Sequence, residues 1–84
     1  MTHFALTRNG YESLVSIFGK APSPLWVNYG VLSESELSQL RAQGVDVTNF
    51  TRLIVRSNES GFENALHAIH EHHPELPIWV EHEL

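Results

Sequence analysis

Five of the six histidines, His67, His70, His72, His73 and His82, fall within the last eighteen residues of the chain. Imidazole ligates metals and titrates near neutral pH, so this density raises two chemistries, a metal site and a proton switch. His67 stands three residues before His70 and four before Glu71, the spacing at which two ligands on one helix can share an ion. The nearest metalloprotease pattern fails, because a histidine four positions after His70 would have to replace Pro74. On a helical wheel Glu63, His67, His70 and Glu71 occupy one flank, and Phe62, Leu66 and Ile69 the other. Ligands on an exposed flank hold a metal weakly unless His82 or a second subunit completes the set. The simpler reading makes these histidines surface and capping groups. Their imidazolium forms gain roughly 0.3–1 kcal/mol near a helix C-terminus, and Glu63 with His67 is an ordinary i, i+4 pair. A pH-sensitive interface ranks second and a metal site third, so no metal or other cofactor is expected.

A second constellation depends on strand direction. Residues 25–27, 53–55 and 78–80 are continuous apolar triads, the pattern of strands buried on both faces. If the three strands are parallel, their carboxyl ends carry Asn28 and Tyr29, then Arg56 and Ser57, then Glu81 and His82. Ligands of open parallel sheets bind beyond that edge. Asn28, Tyr29, Arg56, Glu81 and His82 are therefore the candidate ligand-binding residues, supplying an amide, a phenol, a cation, an acid and a base. An antiparallel last strand would remove His82 from the set.

These groups need elements to position them. His3 to Thr7 reads as a short, peripheral strand. Asn9 caps a first helix over 10–18, with Glu12 three residues on, an apolar face of Tyr11, Leu14, Val15 and Phe18, and Gly19 as its stop. The prolines of 20–24 break the helix, and a strand follows over 25–29. Ser33 and Glu36 form a capping box for a second helix over 34–43, with Leu32 stapled on Leu37. Gly44, with Val45 folding back on Leu40, ends it in a Schellman stop. Residues 45–50 read as an ambiguous connector and 51–56 as an interior strand. Ser57 or Asn58 caps a third helix with an apolar face of Phe62, Ala65, Leu66 and Ile69, which Pro74 stops near residue 72 or 73. Residues 77–81 form a last interior strand. The alternation predicts one α/β domain over 1–84, with a three-to-four-stranded, mostly parallel sheet and about three helices. The narrow stripe of the second helix, Leu37 and Leu40, leaves an α+β arrangement with an antiparallel or mixed sheet as the alternative.

Composition removes other classes. The chain has no cysteine, hence no disulfides and no thiolate chemistry. Its five glycines are dispersed and make no phosphate loop, and no GxSxG nucleophile elbow occurs. Five basic against ten acidic residues give a formal charge of −5, and the basic residues are scattered, which argues against nucleic acid. Protonating all six histidines would carry that charge to +1. No stretch reaches the roughly 18 apolar residues of a membrane span, and the first residues lack a signal-peptide pattern; a cytoplasmic address is expected. Trp26 and Trp79 read as core residues that would become interface anchors if a sheet face were uncovered. The function expected is a small acidic, non-enzymatic binding or protein-interaction module, its partner a second copy or a basic protein. A small-ligand binder or minor enzyme using the strand-end residues is the alternative.

Overall fold

A computed structural model of the chain describes residues 1–82. The elements follow in the order β1 (Thr2–Ala5), α1 (Arg8–Phe18), β2 (Leu25–Val27), α2 (Glu34–Ala42), β3 (Val47–Asn49), α3 (Glu59–His72) and β4 (Ile78–Val80). The strands form one sheet in the order β3-β2-β1-β4, and each neighbouring pair is parallel. The protein is thus an α/β domain with a wholly parallel four-stranded sheet and three helices, and the antiparallel or mixed alternative is set aside.

Side-chain alternation along the strands divides the core in two. Ala5, Leu25, Val27 and Val47 meet Leu14 of α1 and Leu37 and Leu40 of α2 on one face. Phe4 and Trp26 meet Ala65 and Ile69 of α3 on the other, with Leu6 and Ile54. The topology requires this arrangement. Two successive right-handed crossovers in one direction place α1 and α2 on the same face, and the return from β3 to β4 places α3 opposite.

The local signals explain the helix boundaries. For α2 the Ser33 hydroxyl accepts from the Glu36 N–H at 3.1 Å while a Glu36 carboxylate oxygen accepts from the Ser33 N–H at 3.0 Å. Its end is the expected stop: Gly44 has φ +87°, and the Val45 N–H donates to the Leu40 carbonyl at 3.0 Å. Asn58 caps α3, accepting from the Gly61 N–H at 3.2 Å. In α1 the cap is Thr7, not Asn9, and the helix begins two residues earlier than predicted. Thr7 leaves β1 in an extended conformation, and its hydroxyl accepts from the Gly10 N–H at 3.1 Å. Asn9 therefore lies inside the first turn.

Three strand expectations are corrected. The opening strand is interior, paired with β2 and β4, and its residues are all buried. The closing strand is an edge strand. Most consequentially, the third strand is Val47–Asn49, inside the presumed connector, and residues 51–56 are a loop. The stop at Gly44 sends the chain straight into the sheet, where the Leu25 N–H donates to the Asp46 carbonyl at 2.8 Å and the Phe50 N–H to the Val27 carbonyl at 3.0 Å. The following loop then crosses over the carboxyl edge. Of its apolar triad only Ile54 is buried, while Leu53 and Val55 are 62 % and 46 % exposed.

Candidate carboxyl-edge site

With every strand parallel, the carboxyl ends share one edge. β1 delivers Leu6 and Thr7 there, β2 delivers Asn28, β4 delivers Glu81 and His82, and the 50–58 loop lies across them. Arg56 arrives from that loop, not from a strand end as the sequence suggested.

Glu81 is buried and turned inward. Its Oε1 accepts from the N–H groups of Leu6 and Thr7 at 2.8 and 2.9 Å, and its Oε2 accepts from the Thr7 hydroxyl at 2.6 Å. It therefore fills the turn between β1 and α1, where an anionic ligand would otherwise find converging N–H donors. Gly10 makes room for it: a Cβ there would stand 1.8 Å from Glu81 Oε1. The carboxylate thus ties the end of the last strand to the turn between β1 and α1, across 75 and 74 residues of sequence.

Asn28 is likewise consumed internally. Its Nδ2 donates to the carbonyls of Leu6 and Ile54 at 3.1 and 2.8 Å, and its Oδ1 accepts from the N–H groups of Ile54 and Tyr29 at 2.8 and 2.9 Å. An amide offers two donors and one two-lone-pair acceptor, so Asn28 has no capacity left. It pins Ile54, and with it the loop, to the sheet. Arg56 donates from Nη2 to the Glu81 carbonyl, and its guanidinium lies 4.9 Å from the Phe62 ring centroid. Tyr29 and His82 are exposed.

Two hollows flank the loop. One, of about 220 Å³, is lined by Leu6, Thr7, Asn28, Leu53, Ile54, Val55 and Arg56. The other, of about 260 Å³, lies between the loop and α3 and is lined by residues that include Phe50, Arg52, Asn58, Asn64 and Ala65. Both fall below the roughly 300–1,000 Å³ of small-molecule pockets. Residues 53–55 line both, so the loop forms an apolar ridge between them. Of the five candidate residues, the structure brings Asn28 and Arg56 to one hollow. Glu81 lies behind it, and Tyr29 and His82 do not line it.

The histidine segment separates into different roles. His67 Nε2 lies 2.6 Å from Glu71 Oε1 on the exposed face of α3. A ring nitrogen of His72 lies 2.9 Å from the Ala68 carbonyl, and its ring packs edge-on against Trp26 at 5.2 Å. His73 approaches Trp26 at 6.3 Å. Among the described residues no group of three or more His, Asp or Glu side chains is placed to hold a metal ion.

Thr7 and Gly10 were not foreseen as Glu81's partners, although a threonine at the end of an alternating run is a recognisable cap signal. On the face of the sheet that carries α1 and α2, Arg8 contacts both Glu36 oxygens at 2.9 and 2.7 Å and joins the two helices. The Ser33 N–H and the Arg8 guanidinium hold the Glu36 carboxyl below its ordinary 4.5. No protein-family model, no curated protein and no solved structure matches this chain.

Proposed function

We propose that the protein is a non-enzymatic protein-interaction module that docks its partner on the carboxyl-edge ridge. The observation that carries this reading is the contrast along one edge. Asn28 and Glu81, the polar groups best placed for chemistry, are occupied by seven internal hydrogen bonds. Leu53 and Val55 stand exposed on the same edge. A loop pinned at its centre and apolar on its outside presents pre-ordered anchors, which lowers the entropy cost of docking. The formal charge of −5 favours a partner of positive charge at long range, with the close contact apolar.

Photocrosslinking tests the reading in cells of the source organism. A crosslinker at position 53 is expected to give a discrete protein adduct, one at Gln39 on the exposed side of α2 is not, and Val55→Asp should remove the adduct while leaving the melting temperature unchanged. Equal adducts from both positions, or none from position 53, would refute it. The small-ligand reading retains one favourable observation, the Arg56 side chain lining the smaller hollow. It requires amide shifts at Thr7, Asn28 and Arg56 to move together in a titration with small carboxylates or phosphates.

A further inference from the structure

The two edges of the sheet are built differently. In β3 the inward bonds of Asp46 and Phe50 leave the Val47 and Asn49 backbone facing outward. There Arg41 folds over and donates from Nη2 to the Val47 carbonyl at 3.1 Å, and Asp46 precedes the strand. A charged side chain laid on an edge is a standard guard against pairing. In β4 the Thr2 N–H donates to the Pro77 carbonyl at 2.9 Å and the Glu81 N–H to the Phe4 carbonyl at 3.1 Å. The N–H and C=O groups of Ile78 and Val80 therefore point away from the sheet, along a strand whose residues are half-buried. The strand itself, Ile-Trp-Val, carries no charge.

We propose that two copies of the chain join edge to edge through β4, antiparallel, about a twofold axis at Trp79. The register is self-complementary. Placing Trp79 opposite its own copy sets Ile78 opposite the second copy's Val80, and Val80 opposite its Ile78. Those are the residues whose backbone groups face outward, so each opposed pair exchanges two hydrogen bonds and the seam gains four. The two Trp79 side chains meet as the close, non-hydrogen-bonded pair on the α1 side. An apolar shoulder already stands there: Trp79 lies 6.3 Å from His3, His3 lies 5.2 Å from Phe18, and Ile17 and Phe18 are 72 % and 51 % exposed with Met1 exposed beside β1. A stable interface takes about 800 Å² from each partner, about one-seventh of the 5347 Å² surface of this chain. A three-residue strand cannot supply that alone, so the end of α1 must belong to the contact.

This interface is separate from the carboxyl-edge ridge and stands or falls without it. Sedimentation equilibrium on the full chain tests it. The expected mass is twice the 9.5 kDa of one chain. Ile17→Lys, at an exposed position that the fold does not need, and Ile78→Pro, which removes an outward N–H but no bond to β1, should each weaken association by roughly tenfold or more. Arg41→Ala, at the other edge, should leave it unchanged. A mixture of labelled and unlabelled copies should show Trp79 indole contacts between copies. A monomer up to millimolar concentration, or a dimer that Ile17→Lys does not weaken, overturns the proposal, as does one lacking the Trp79 contact or altered by Arg41→Ala.

Discussion

Gly10→Ala should destabilise the protein although alanine is the better helix former. The new Cβ would lie 1.8 Å from Glu81 Oε1, 2.2 Å from its Cδ and 2.9 Å from its Cγ. The α1 backbone cannot retreat without disturbing β1, so the Glu81 side chain must swing out. Three hydrogen bonds at 2.6–2.9 Å then go, and the Leu6 N–H is left buried. Bonds to a charged acceptor contribute about 1.5–3 kcal/mol each when lost singly and less than their sum together. A loss of about 2–4 kcal/mol follows, against a gain of about 0.5–1 kcal/mol for replacing glycine inside a helix. The net cost, about 1–3 kcal/mol, is large beside the roughly 4–13 kcal/mol total of a chain this size. It corresponds to a melting temperature lower by about 5–20 °C.

The decisive measurement is a double-mutant cycle by urea unfolding. Glu81→Ala alone should cost about 2–4 kcal/mol for the same lost bonds. With the carboxylate absent there is nothing for the Cβ to strike, so Gly10→Ala added to Glu81→Ala should stabilise by about 0.5–1 kcal/mol. The effect of one substitution thus changes sign with the presence of the other. Equal costs of Gly10→Ala in both backgrounds would show that the glycine serves the helix backbone alone, and the strand-to-helix tie would have to be abandoned.

Other substitutions address the loop and the pH response. Asn28→Asp sets a carboxylate oxygen against the Leu6 and Ile54 carbonyls in place of an amide donor. It should cost about 2–4 kcal/mol, with amide exchange at Ile54 accelerating more than exchange at Leu37. Leu53→Asp lies on exposed surface and should change stability by less than about 0.5 kcal/mol in the same unfolding assay. Burial beside Phe18 and Trp79 holds the His3 pKa below 6.5. As pH falls through 6.5 the unfolded chain takes up this proton first, so stability declines until the folded ring also protonates; His3→Phe should flatten that part of the profile. The Glu36 carboxyl, held below 4.5, contributes stability that is present above that pH and lost as the pH falls through its folded-state value. Arg8→Gln should move that loss closer to 4.5 in acid titrations monitored by circular dichroism.

The sequence disclosed what depended on near neighbours. Ser33, Glu36, Gly44 and Val45 act within one helix, and each occupies its predicted role. The strand triads at 25–27 and 78–80 were legible because a sheet covered on both faces needs consecutive apolar residues. The same rule misread residues 53–55. Three apolar residues in a row describe a buried strand and equally a loop that buries one side chain and exposes two. What decides between them is Asn28, 26 residues away, bonding the Ile54 backbone. The candidate site was legible as an edge and misjudged as chemistry for a related reason. Residue types at strand ends show which groups arrive there, whereas long-range pairing determines whether those groups remain available. Glu81 finds its donors at Leu6 and Thr7, and no local pattern links positions so far apart.

Strand direction then ties the two proposed surfaces together. Every strand runs the same way, so the ridge carrying Leu53 and Val55 occurs at one end of the sheet. A twofold that pairs β4 antiparallel with its copy reverses one sheet relative to the other. The dimer consequently carries its two ridges at opposite ends of a continuous eight-stranded sheet, facing away from each other. Two ridges facing the same way could grip adjacent sites on one partner and gain avidity, but ridges facing apart forbid simultaneous engagement of one flat surface. Such a dimer bridges two partner molecules. Binding should therefore reach two partners per dimer with no gain in affinity over Ile17→Lys, a comparison that titration calorimetry makes directly. A marked loss of affinity for the partner in that variant would place both ridges on one side and contradict the antiparallel seam.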